Sequence, residues 1–156
     1  MHRDVYLKMS LDELIRHCKI KHFQGGGPGG QHRNKTNTGI VLIMPEYGLE
    51  TKSCESRSAH ENKTHALHRM RLAIALNVRE PLKPLGEYRF PGSEGRIRSS
   101  NFGFPQFIAE VLDIAAENNG NPKPAAEIFG LTASALNRIL GQEKIVLEKL
   151  KTLRKE

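Results

Sequence analysis

The run Gly25-Gly26-Gly27-Pro28-Gly29-Gly30-Gln31 is almost pure backbone: five of its seven residues are Gly and one is Pro. Gly permits positive φ and lets another molecule come against bare main chain. Pro28 fixes one φ and narrows the unfolded ensemble of the loop. The run ends on Gln31, an uncharged side chain that makes no useful base at neutral pH. Such a composition assigns the chemistry to main-chain N–H groups, with Gln31 shaping the space around them. That is the logic of an oxyanion site and not of a nucleophile. The P-loop ending Gly-Lys-Ser/Thr is missing, which argues against a phosphate-cradling nucleotide site. His65 and His68 have helical spacing and His60 lies near. No third-ligand pattern or paired carboxylate joins them, so the sequence supports no metal site and asks for no cofactor.

The elements that must position the loop can be read on either side of it. Ser10 is an N-cap with Glu13 as capping-box partner, followed by a short apolar stripe, which predicts one or two helical turns. Cys18 to Phe23 alternates imperfectly and predicts a strand that delivers the chain into the glycines. Gly39 to Met44 is β-branched, Pro45-Glu46-Tyr47-Gly48 supplies turn residues, and Leu49 to Cys54 returns, which predicts a hairpin. From Ala59 to Val78, the spacing of Ala66, Leu67, Met70, Ile74 and Val78 predicts a helix. Lys63, His65, Arg69 and Arg71 fall on its other face in this reading.

Residues 81–104 lose all periodicity among prolines and glycines and read as a linker or an extended ordered arm. Arg89, Arg96 and Arg98 within it could lie along RNA or simply solubilise. The last third, 105–156, is helical. Phe107, Ile108, Val111, Leu112 and Ala115 share one face of its first helix. Thr132 as an N-cap, together with Gly130 and small alanines, gives the next pair a helix-turn-helix look. Only Asn137 and Arg138 could read bases there, so packing or RNA docking is favoured over DNA readout. The expected organisation is therefore 1–80, an arm over 81–104, and a helical module over 105–156.

The net charge of +7 is uneven. Residues 1–100 hold 17 Lys/Arg against 10 Asp/Glu, whereas 101–156 hold 7 against 7. The excess lies with the glycine loop and favours a polyanionic partner for that half. No apolar run approaches a membrane span and the start lacks a signal-peptide pattern, which predicts a cytoplasmic protein or a processed organellar form. The two cysteines, Cys18 and Cys54, are too few for a secreted disulfide framework and read as reduced thiols.

At Gly27-Pro28-Gly29-Gly30-Gln31-His32-x-Asn34-Lys35-Thr36 the chain resembles the catalytic domain of class I peptide chain release factors and related ribosome-rescue hydrolases. A second block, Cys54-x-x-Arg57-Ser58-x-x-x-Asn62-Lys63-x-x-Ala66-Leu67, comes after it in the same order. Together they cover roughly residues 13–78. Arg33, Gly39 and Ala59 depart from the family, which usually has a small aliphatic residue, Ala and often Gln at those places. The resemblance implies an α+β fold. A small Gly-Gly-Gln domain, with a hairpin or small sheet packed on a helix, precedes an all-helical segment.

The resemblance also implies hydrolysis of the peptidyl-tRNA ester in the peptidyl-transferase centre of the ribosome. Gly29 and Gly30 would permit the tight backbone. The Gln31 main-chain N–H would point at the developing charge, and its side chain would admit water and exclude bulkier nucleophiles. Gln31 is also a methylation target in the family, which implies a glutamine methyltransferase as a partner. Arg33, Lys35, Arg57, Lys63, Arg69 and Arg71 are the expected contacts to large-subunit rRNA phosphates. Only 24 residues precede Gly25 and none resembles a decoding motif, so the expectation is codon-independent release. A non-catalytic ribosome- or RNA-binding role is the alternative, because the same loop and basic helix would serve it.

Overall fold

The computed structural model describes residues 1–24 and 37–154. Gly29, Gly30, Gln31, Arg33 and Lys35 lie outside the described residues. The chain divides into two compact units, Met1–Ile74 and Ala75–Glu156.

In the first unit, helix α1 (Arg3–Lys8) opens with His2 Nδ1 accepting from the Asp4 N–H. It buries Arg3, which pairs with Asp4 at 2.9 Å, and seats Tyr6 and Leu7 in the core. Nothing in the apolar pattern of these few residues predicts this helix. Helix α2 (Leu11–Leu14) starts where expected: Ser10 Oγ accepts from the Glu13 N–H at 3.2 Å. A 3-10 turn, Ile15–His17, then leads into the sheet.

Strands β1 (Lys19–Phe23), β2 (Gly39–Met44) and β3 (Leu49–Ser53) form an antiparallel sheet in the order β1-β2-β3. Gly48, at φ 65°, closes the turn between β2 and β3, a conformation that favours glycine. Alternation along β2 places Ile40, Leu42 and Met44 on one face, and all three are buried. Helix α3 (Ala59–Asn77) packs on that face, where Thr51 Oγ1 donates to the Ala66 carbonyl at 2.9 Å. Ala66, Leu67, Met70 and Ile74 are the buried stripe of α3, as the spacing predicts. β1 is an edge strand with Lys19, Ile20, Lys21 and His22 exposed.

In the second unit, residues 81–104 carry a 3-10 turn, Leu85–Glu87, and a bridge between Ser93 and Arg96. Tyr88 packs edge-on against Phe129 at 5.6 Å between ring centres, and Phe90 against Phe107 at 5.3 Å. Phe107 also meets Phe129 at 4.8 Å. Helices α4 (Phe104–Ala116), α5 (Lys123–Phe129), α6 (Ala133–Leu140) and α7 (Lys144–Thr152) complete the unit. Gly130 ends α5 in the left-handed region, and Thr132 Oγ1 caps α6 by accepting from the Ala135 N–H. The architecture is α+β: a small sheet on a helix, then a helical part.

Candidate functional site

The glycine run joins β1 to β2, and the described residues fix where both ends of that connection must be. Phe23 and Gly39 are direct partners in the β1–β2 ladder, so the connection leaves and returns at one place on the sheet. A Cβ on Gly39 would stand 2.7 Å from the tip of the Phe23 ring, which lies over the bare backbone. An Ala at this position would require the Phe23 ring to shift.

Thr38, one residue earlier, is held from the other side by Asn62. This side chain is fully buried near the start of α3. Its Nδ2 donates to the Thr38 carbonyl at 2.7 Å and to the Ser56 carbonyl at 2.8 Å. Its Oδ1 accepts from the Ser56 N–H at 2.9 Å and from Ser53 Oγ at 3.2 Å. One carboxamide thus satisfies four groups and ties the exit of the connection to the end of β3 and to α3. Ser58 prepares the position by accepting from the Glu61 N–H at 3.2 Å, an N-cap bond that starts the helix. The second sequence block contains Asn62, but this role cannot be read from the block alone. A polar residue near a helix start, just before the apolar stripe, is the signal that points to it.

The basic residues expected behind the loop do not all share one surface. Arg57 is exposed and Lys63 is half-buried. Arg69 is exposed, pairs with Glu55 and donates to the Lys52 carbonyl at 2.6 Å, so it braces the end of β3. The hydrogen bond and charge of Arg69 hold the Glu55 carboxyl below its ordinary range. Arg71 requires a correction. It is 2% exposed, and its Nη2 donates to the Leu7 carbonyl at 2.6 Å, tying α3 to α1. Burial lowers its guanidinium to about 10, so it stays charged at neutral pH and acts inside the unit. Its spacing from Leu67 and Ile74 places it on the inward face, and its charge hid that.

His60, His65 and His68 are exposed, and His65 Nδ1 lies 3.8 Å from Glu55 Oε2. Among the described residues, no group of three or more His, Cys, Asp or Glu could hold a metal ion. Among them also, no helix is long and apolar enough to cross a membrane. Arg138, the base reader considered for the helical pair, directs Nη2 to the Gly95 carbonyl at 3.4 Å within its own unit. Burial raises the Cys18 thiol, which points at the Leu14 carbonyl. Neither cysteine is in a disulfide.

Residues 9–103 match the RF-1 domain. The chain is 25% identical over 142 residues to peptide chain release factor 1 of Dictyoglomus thermophilum, covering 74% of this chain and 39% of that protein. It is 28% identical over 107 residues to peptide chain release factor 2 of Kosmotoga olearia, covering 65% of this chain and 28% of the relative. A shorter stretch of 49 residues is 39% identical to peptide chain release factor 2 of Borreliella burgdorferi, covering 31% of this chain and 14% of the relative. The chain spans about two fifths of the length of the first of these relatives. No solved structure matches it. The RF-1 match takes in the glycine run, the ladder that frames it and the Asn62 clamp, and it covers more than half of the 156 residues. The chain belongs to the RF-1 domain family.

Proposed function

We propose that this protein hydrolyses the ester of peptidyl-tRNA in the ribosomal peptidyl-transferase centre, independently of the codon. The observation that carries this reading is the RF-1 domain match over 9–103, which includes Gly29-Gly30-Gln31. The closed base formed by Phe23, Thr38 and Gly39 supports it, because a loop that inserts between RNA strands needs both its ends anchored at one site. In this reading the Gln31 main-chain N–H stabilises the charge that develops on the ester oxygen. One such donor contributes roughly 10²–10³ in rate. That is too little alone, so ribosomal RNA supplies the rest of the site, and the protein completes it.

Arg33, Lys35, Arg57, Lys63 and Arg69 are the proposed contacts to large-subunit rRNA, and Gln31 the residue a glutamine methyltransferase would modify. The place of action is the cytoplasm, with its ribosomes. The test is release of peptide from isolated ribosomes programmed with truncated mRNA or with a stop codon in the decoding site. Comparable release from both is expected. Release only with the stop codon contradicts the codon-independent reading. Ribosome binding with no release from either favours the non-catalytic RNA-binding alternative.

A further inference from the structure

An open depression of about 630 Å³ lies in the second unit, along residues 91–101. Arg96 and Arg98 both line it, together with Gly92, Ser93, Ser100 and Asn101, and no carboxylate does. Ile97, between the two arginines, is buried and anchors the segment, while Arg96 and Arg98 on either side of it are exposed and line the depression. Neither arginine is in an ion pair with a described residue, whereas Arg69 pairs with Glu55 and Arg79 with Asp113.

The segment is also fixed before any ligand arrives. Gln142 Nε2 donates to the Ile97 carbonyl at 2.7 Å, and its Oε1 accepts from the Ser99 N–H at 3.0 Å, so one side chain clamps both sides of Arg98. Ser93 and Arg96 exchange backbone hydrogen bonds of 3.0 and 2.9 Å across a turn whose centre, Glu94 and Gly95, has positive φ. A Cβ at Gly92 would stand 2.1 Å from the Arg96 carbonyl, so the close approach there depends on glycine. The Asn101 carboxamide oxygen accepts from the Gly103 N–H at 2.8 Å, which leaves its NH₂ as the end able to meet an anion.

We propose that this depression seats the phosphate backbone of a single-stranded RNA segment, with Arg96 and Arg98 on phosphate oxygens. Ser93 and Ser100 hydroxyls and the Asn101 NH₂ add neutral donors. A pre-positioned guanidinium pair suits phosphate, since each fork can give two parallel hydrogen bonds. Phe102, next to Asn101, is 48% exposed and offers a face on which an unpaired base can stack. A duplex presents no such base, so the single strand is the better match. The seat lies wholly in the second unit and does not depend on the catalytic reading.

The test uses the full chain, a labelled unstructured oligouridylate, and fluorescence anisotropy without ribosomes. Between about 50 and 200 mM salt, Arg96→Gln/Arg98→Gln should lower the slope of log affinity against log salt by ~1.4, because each contact to a single strand contributes ~0.7. Phe102→Ala should weaken single-strand binding ~5-fold or more with the slope unchanged, as loss of one stacked base does. It should leave binding of a duplex RNA as it was. In the wild-type chain, adding the oligonucleotide should shift the Gly92, Ser93 and Ser100 amide resonances, a readout that needs no variant. An unchanged slope in the double variant, or an absence of those shifts, overturns the proposal. Equal loss on duplex and single strand in Phe102→Ala overturns the single-strand assignment. Because no ribosome is present, none of these results depends on whether the glycine loop releases peptide.

Discussion

Asn62 shows how a single buried residue can set the geometry of a loop it does not belong to. Replacing it with Ala strands the Thr38 and Ser56 carbonyls, the Ser56 N–H and the Ser53 hydroxyl. Unsatisfied buried polar groups are expensive, so Asn62→Ala should cost about 2–4 kcal/mol, seen as a lower denaturation midpoint. A midpoint equal to wild type would show that water replaces the clamp without penalty. Arg71 behaves as a second structural residue: Arg71→Gln should cost about 2 kcal/mol in the same assay, as loss of a charged hydrogen bond does.

By contrast, Arg57→Gln with Lys63→Gln should leave the midpoint nearly unchanged, since Arg57 is exposed, Lys63 is only half-buried, and solvated charges contribute little. That pair should lower the salt slope of ribosome binding by about two, one for each phosphate no longer neutralised. An unchanged slope would mean a merely solvated face. His68 gives a pH signature. The residue is exposed, but partial desolvation of the ring against the helix first, then the charges of Arg71 and His65, lower its pKa below the ordinary 6.5. The unfolded chain therefore takes up this proton before the folded one does. The stability linked to His68 is present above pH 6.5 and is lost as pH falls through the folded value. The thermal midpoint of His68→Gln should thus fall less between about pH 7 and 5 than that of wild type, and parallel curves would count against the assignment.

At the scale of elements, the hairpin was legible from the β-branched run Gly39–Met44 and the turn residues after it, and α3 from apolar residues at helical spacing. Ala66, Leu67, Met70 and Ile74 recur at helical spacing and are buried, whereas residues 40–44 are apolar throughout, so which face of β2 is buried (Ile40, Leu42 and Met44) could not be read from them. The same logic explains why other features stayed hidden. Arg71 occupies an inward position with a charged side chain, so a reading by polarity placed it outward. Helix α1 buries a charged residue, Arg3, and is held by Arg3–Asp4 and Tyr6–Glu46, pairings that no period records. In 81–104 the order comes from isolated anchors, Tyr88, Phe90 and Ile97, and from Gln142, which lies far along the chain. The candidate site was legible as residue types in Gly29-Gly30-Gln31. Its frame was not, since the ring of Phe23 over Gly39 and the Asn62 clamp are contacts between distant residues.

At the scale of the whole molecule, two compact units divide between Ile74 and Ala75. The proposed division of labour places chemistry in the first and RNA docking in the second. A fragment ending at Pro84 should fold, judged by a cooperative thermal transition, yet release peptide only at high protein concentration because recruitment is weakened. Full activity of that fragment at low concentration would contradict the docking role. The central claim is that main-chain geometry at Gly29-Gly30-Gln31 performs the hydrolysis. It is tested most directly by single-turnover peptide release from purified stalled ribosomes saturated with wild type, Gly30→Ala or Gln31→Ala. Wild type should release peptide. Gln31→Ala should retain substantial water-dependent release while accepting bulkier nucleophiles, and Gly30→Ala should lose roughly 10²-fold or more, as removal of a main-chain donor does. Release by Gly30→Ala at the wild-type rate would contradict the account.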